Sequence, residues 1–156
     1  RHRAWLAGLP VDLWLSDEVC LCHGSPAGDM IYFLEDVDAD GVHPATPEQI
    51  EERAGDCLAR LILCGHTHSP RIAELADGRL VANPGSVGLQ AFEDDQWFPH
   101  RVEIGTPHAR YAMIERGEDG WAAELIQVDY DWDAMADLAA ANGRPDWGRA
   151  LRTGRM

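Results

Sequence analysis

The chain has 156 residues, 46% of them hydrophobic, enough for one domain with a real core and free of the compositional marks of disorder. Its 13 basic and 27 acidic side chains give a formal net charge of −14, which repels nucleic-acid backbones and sets aside a polyanion-binding role. No apolar stretch reaches the roughly eighteen residues of a membrane span; Pro10, Asp12, Asp17 and Glu18 follow the basic start Arg1-His2-Arg3 and break any signal-peptide core, so a cytoplasmic protein without membrane contact is expected.

Val11 to Leu15 alternates and Val19 to Cys22 is apolar, which predicts two strands joined by a turn at residues 16–18. The second strand runs directly into His23-Gly24-Ser25-Pro26. Residues 27–45 read as a long irregular connection carrying Glu35, Asp36, Asp38 and Asp40. A helix is then expected, with Thr46 as N-cap, Pro47 at its first position and Gln49 completing a capping box. Ile50, Ala54 and Leu58 recur every four residues and predict its buried face. Leu61 to Cys64 is a continuous apolar run of the kind covered on both faces of a sheet, and it ends at Gly65-His66-Thr67-His68.

Short strands are expected at residues 72–75 and 80–82, across an Asp77-Gly78 turn, followed by the turn-rich loop Asn83 to Gly88. Residues 89–110 read as irregular and aromatic-rich. A hairpin is predicted from residues 111–115 and 124–128, then two helices at about 133–141 and 147–152. The four cysteines, Cys20, Cys22, Cys57 and Cys64, form no C-x-x-C pair and read as reduced core thiols.

Two imidazoles two residues apart at a strand end can converge on a metal, and Gly65 would allow the tight bend this needs. Strand ends of an α/β sheet are also where ligands gather. His23 repeats the theme on an earlier strand. His2, His43, His100 and His108 are scattered in loops and read as solvated, and Trp97, Phe98 and Phe92 read as packing aromatics with base stacking as the lesser use. Asp36 to Gly41 matches only the first half of a calcium loop, since its twelfth position is Pro47. A zinc site from Cys57, Cys64, His66 and His68 is disfavoured by a mid-helix Cys57.

The ordered series His23-Gly24-Ser25-Pro26, Gly65-His66-Thr67-His68 and Asn83 to Gly88 resembles the C-terminal half of the calcineurin-like metallophosphoesterase superfamily, in its small bacterial and archaeal phosphodiesterase branch. The likeness runs from about Trp5 to Leu151. It implies half of an α/β/β/α sandwich, with mixed sheets flanked by helices. It further implies two divalent cations (manganese, iron, zinc or nickel), His23 and His66 on one and His68 on the other. In such enzymes a hydroxide bridging the metals attacks the phosphorus of a small phosphorylated substrate, a phosphodiester or a phosphomonoester. Asn83 to Gly88 would be an architectural turn.

The family also draws on D-x-H, G-D and G-N-H motifs that precede the segment matching His23. Here no D-x-H or G-N occurs, the only asparagines are Asn83 and Asn142, and the pairs Gly28-Asp29 and Gly55-Asp56 both follow His23. The expectation is therefore that residues 1–156 are the C-terminal part of a single metallophosphoesterase domain. The bridging aspartate and general acid would lie in an N-terminal half absent from it, or in another chain or copy, and one apolar sheet face would be left open. Alone, the chain is expected to be inactive. The alternative is a non-catalytic protein-interaction scaffold on the same fold, as in the small retromer subunit.

Overall fold

The computed structural model describes residues 2–156. A short helix α1 (His2–Leu6) precedes the antiparallel pair β1 (Asp12–Ser16) and β2 (Val19–Cys22). The hairpin β3 (Glu35–Asp38) and β4 (Gly41–Pro44) follows, then helix α2 (Pro47–Ala54) and strand β5 (Leu61–Leu63). Next come β6 (Arg71–Glu74), β7 (Leu80–Asn83) and the hairpin β8 (Ala91–Asp94) and β9 (His100–Glu103). The chain continues through the hairpin β10 (Ala109–Arg116) and β11 (Trp121–Val128) to helices α3 (Trp132–Ala141) and α4 (Pro145–Thr153).

One five-stranded mixed sheet organises these parts, in the order β1-β2-β5-β7-β6. Strands β2, β5 and β7 run parallel, with Leu21 opposite Leu63 and Leu63 opposite Ala82. Edge strands β1 and β6 run antiparallel to them. Cys20, Ile62 and Val81 line up across one face and pack with Phe33, Leu34, Ile50 and Ala54 to form the core. The continuous apolar character of β5 follows from this position, since Leu61 and Ile62 are both fully buried on opposite faces.

The other face carries Leu13, Leu21, Leu63, Ala82 and Ile72 in one register row. Its β7 end is approached by β10 and β11, and an apolar groove remains there between Leu21, Leu63, Pro84, Ala112 and Ile114. Strand β1 is exposed along its whole length, with Leu13 and Leu15 open to solvent. An open apolar sheet face is thus present as expected.

Helix α2 forms with the predicted capping box. The Gln49 amide donates to the Thr46 hydroxyl at 3.3 Å, and the Gln49 side-chain oxygen accepts from the Thr46 amide at 2.8 Å. The helix ends sooner than its periodicity predicts. Gly55 takes a left-handed φ of 51°, so Leu58 lies beyond the helix and is 83% exposed. Cys57 likewise lies outside it, contrary to its mid-helix assignment. Two segments read as irregular are in fact short hairpins. Gly41, at φ 112°, turns β3 into β4 within residues 27–45, and β8 and β9 occupy the middle of residues 89–110.

A truncation at Ile62 removes volume from the packed centre, whereas one at Leu58 removes only exposed surface. Denaturant unfolding is expected to show Ile62→Ala less stable by about 2–5 kcal/mol and Leu58→Ala within about 0.5 kcal/mol of the parent. Comparable losses at both positions would contradict the helix end at Gly55.

Candidate metal centre

Parallel pairing places the ends of β2, β5 and β7 at one edge of the sheet, where ligands of open α/β sheets collect. The Gly65 amide donates to the His23 carbonyl at 2.9 Å, extending the β2–β5 ladder past both strands. The His23 and His66 rings consequently lie face to tilted face, with centroids 4.7 Å apart. His23 is exposed, while His66 and His68 are half-buried.

The tight backbone falls on the histidines rather than on Gly65. His66 and His68 have φ of 62° and 57°, in the left-handed region that side chains rarely enter. The Thr67 amide donates to the Gly65 carbonyl at 2.7 Å, closing a γ-turn around His66 in its rarer, strained form. A Cβ on Gly65 would meet only the His23 carbonyl oxygen, at an ordinary 3.7 Å. The indispensable glycine is Gly24, where a Cβ would lie 2.5 Å from the Asp29 carbonyl oxygen and 2.6 Å from that of Ile31. Absence of a side chain there lets the 24–31 segment fold back beside His23.

Three buried side chains brace this backbone. Asn83 donates to the Gly65 carbonyl at 2.7 Å and to the Thr67 hydroxyl at 2.9 Å, and its carbonyl oxygen accepts from the Gly85 amide at 2.9 Å. Glu35 is buried beside Thr67, which favours its ionised form against the cost of burial. Asn83 to Gly88 is thus architectural as expected, and Glu35 and Thr67 are supporting residues that sequence reasoning passed over. Thr67 was visible between two histidines; Glu35 sat in what read as a long irregular connection.

The imidazole nitrogens are sorted by their neighbours. His68 donates from Nδ1 to the Leu89 carbonyl at 2.8 Å, which leaves the lone pair on Nε2. His66 buries Nε2 with no hydrogen-bond partner, an atom that would be costly to desolvate unless something bound it. Burial, reinforced by His23, pushes the pKa of His66 down; burial does the same for His68. Both shifts favour the neutral imidazole, the form that ligates a metal.

His100 departs from its solvated reading. It is 7% exposed, donates from Nδ1 to the Phe98 carbonyl at 2.7 Å, and accepts from the buried Tyr32 hydroxyl at Nε2, 2.9 Å away. Asp94 lies 3.3 Å from the same hydroxyl. The Tyr32 ring meets the His66 ring edge-on at 4.9 Å. Phe92 packs against His68, at 5.3 Å. His43 and His108 instead pair with Asp38 and Asp129 away from the site, each at 3.2 Å.

The residues fit the imidazole share of a metal site, given a free Nε2 on His68 and an orphaned one on His66. They do not supply a whole coordination set. Among the described residues, no three His, Cys, Asp or Glu side chains converge closely enough to hold an ion. The structure brings the His23 and His66 rings together and sets His68 close enough to His23 to feel its charge.

The family model described as Calcineurin-like phosphoesterase superfamily domain matches residues 8–102, through all three histidines. The chain belongs to the calcineurin-like phosphoesterase superfamily. The fold of this superfamily recurs in the crystal structure of a metallophosphoesterase from Sphaerobacter thermophilus, 21% identical with a TM-score of 0.68, over 98% of this chain and 62% of that one. A single mutant of Vps29 from Entamoeba histolytica and Vacuolar Protein Sorting 29 from Cryptosporidium parvum align at 15% and 14% identity, each over 78% of this chain and over 63% and 58% of theirs. Their TM-scores of 0.38 and 0.37 are too low to bear on function. The present chain therefore spans about three fifths of the solved structures it matches. No curated protein matches it.

Burial pushes the pKa of Glu35 up, against the opposing pull of Thr67, Arg71 and Arg53. The folded chain then keeps the proton to higher pH than the unfolded chain, so this stabilising contribution is present in acid and is lost as pH rises through the folded value. Thermal unfolding across pH is expected to show Glu35→Gln raising Tm at pH 7 and conferring no gain near pH 4. A lower Tm at pH 7 would mean that the ionised carboxylate outweighs its burial.

Proposed function

We propose that this chain is the histidine-bearing half of a metal-dependent phosphoesterase acting on a small phosphodiester or phosphomonoester. The observation that carries the reading is a pair of half-buried imidazoles on left-handed backbone at parallel strand ends, with Nε2 unpartnered on His66 and left free on His68. Strain of this kind persists only where surrounding structure enforces it, and it concentrates at functional sites.

In this reading His23 and His66 hold one divalent cation and His68 a second, with manganese, iron, zinc and nickel as candidates. Divalent cations bound there would neutralise phosphoryl charge and make water nucleophilic near neutral pH. The chain's own residues set the ligands in advance. Leu89 fixes the His68 tautomer, as outer-shell carbonyls do for metal-ligating histidines. Asn83 and Thr67 hold the bend, and the Tyr32 ring backs His66.

Carboxylates and a general acid are needed besides three neutral imidazoles. We assign them to a segment outside residues 1–156, in the same protein or in a partner chain or copy. The reading is supported by the incomplete ligand set, by the greater length of the matched metallophosphoesterase and by the uncovered apolar face beside β1. Four free thiols suit a reducing cytoplasm, and among the described residues no helix is long and apolar enough to cross a membrane.

The test is manganese-dependent hydrolysis of bis-p-nitrophenyl phosphate. The 156-residue chain alone is expected to be inactive, and the protein that includes the carboxylate-bearing segment active. In the active protein, His66→Ala should cost at least about a hundredfold. Turnover by the chain alone, abolished by His66→Ala, would show the site to be complete without that segment. Silence of the longer protein with manganese, iron, zinc and nickel would favour a scaffold.

A further inference from the structure

Among the described residues four non-glycine residues have positive φ: His66, His68, Leu89 and Trp97. Three belong to the histidine site already described, two as imidazoles and Leu89 as the acceptor for His68. Trp97 is the fourth, and the site reading gives it no role.

Its loop is rigidly built. The Phe98 amide donates to the Gln96 carbonyl at 2.8 Å, closing a γ-turn around Trp97 at φ 64°, the same motif that holds His66. Asp94 accepts from the Gln96 amide at 3.0 Å, and His100 donates to the Phe98 carbonyl at 2.7 Å. Tyr32 then ties Asp94 and His100 to the site, its ring meeting His66 on one side and Trp97, at 5.7 Å, on another. Despite this bracing the aromatics it displays stay open to solvent, Trp97 54% and Phe98 43% exposed. An exposed indole on strained backbone contributes little to the core, so packing does not explain the strain.

Trp97 and Phe98 instead form one wall of a cavity of about 360 Å³, which Ile31, Tyr32, Val37, Asp36 and Arg53 complete. That volume is at the small end of ligand cavities. Its polar end is set by Asp36, which accepts from Arg53 at 2.7 Å through Oδ1 and from Gln49 at 2.5 Å through Oδ2. The Val37 amide also acts on this carboxylate, which leaves it one further lone pair for a ligand N–H. The Tyr32 ring lines this cavity and also meets the His66 ring edge-on.

We propose that this cavity is a receptor for a planar heteroaromatic group bearing N–H donors, a nucleobase, with Trp97 and Phe98 stacking on its face and Asp36 accepting from its edge. The substrate class becomes a nucleotide phosphoester whose phosphate reaches the histidines. Only the phosphate end rests on the phosphoesterase reading; the aromatic end rests on the cavity.

The test is titration of the chain, with zinc present, by adenosine, AMP and ribose 5-phosphate, following the Trp97 indole N–H by NMR and repeating with Trp97→Gly and His66→Ala. Adenosine and AMP are expected to move the Trp97 signal, with AMP binding at least about tenfold more tightly than ribose 5-phosphate, as a stacked base provides. Trp97→Gly should abolish that preference and leave Tm unchanged or higher, because glycine relieves the positive φ. A Trp97 signal unmoved by millimolar adenosine and AMP would overturn the proposal. So would a preference that survives Trp97→Gly, or a Tm that falls by several degrees in that variant. Ribose 5-phosphate binding lost in His66→Ala, with no adenosine effect on Trp97, would sink the cavity and spare the phosphoesterase reading. Adenosine binding at Trp97 with no affinity for ribose 5-phosphate would uphold the cavity and undercut the phosphate site.

Discussion

Parallel pairing of β2 with β5 is the constraint on which the rest of the molecule depends. Val19 opposite Leu61 and Leu21 opposite Leu63 bring both strands to their ends at the same level. The bond from the Gly65 amide to the His23 carbonyl carries that alignment into the loops. Core burial enforces it, because Cys20, Ile62 and Val81 pack beneath Ile50 and Ala54 of the crossing helix. A slip of one residue would turn Ile62 toward the opposite face and move His66 out of step with His23. The hydrophobic core and the histidine site are therefore two consequences of one register.

Rigidity at the site comes from backbone strain that other bonds offset. Each positive-φ residue costs of order 1–3 kcal/mol, and the buried bonds from Asn83 to the Gly65 carbonyl and the Thr67 hydroxyl oppose relaxation of the two histidines. The β8–β9 hairpin adds a second brace through His100, Asp94 and Tyr32. Partial burial disfavours ionisation of Asp94, but the amides of Gln96 and Asp95 outweigh it and hold its carboxyl below the usual range. The ring positions are thus set before any ligand arrives, which is how metal and substrate sites gain affinity and precision.

Much of this was legible in the sequence, for local reasons. The capping box at Thr46 and Gln49, the apolar run before Gly65, and the three ordered motifs all announce themselves within a few neighbouring residues. The failures share a cause as well. Leu58 keeps the helical period, but Gly55 ends the helix through its φ, which periodicity does not register. Hairpins β3–β4 and β8–β9 have four-residue strands, with acidic residues in β3 and β8 and Gly41 and Pro44 at the ends of β4, so their composition resembles loop. His100 finds its partner 68 residues away, where no local pattern points. Strain at His66 and Trp97 was invisible because nothing in a sequence distinguishes a residue forced into the left-handed region from one that avoids it.

The most direct test of a prearranged site is long-range ¹⁵N NMR of the histidine rings before and after zinc is added. His68 is predicted to be protonated on Nδ1 throughout, and zinc is predicted to move Nε2 of His66 and His68. Zinc engaging Nδ1 of His68, or leaving both rings unchanged, would contradict the claim that this strained strand-end turn is a prearranged ligand set.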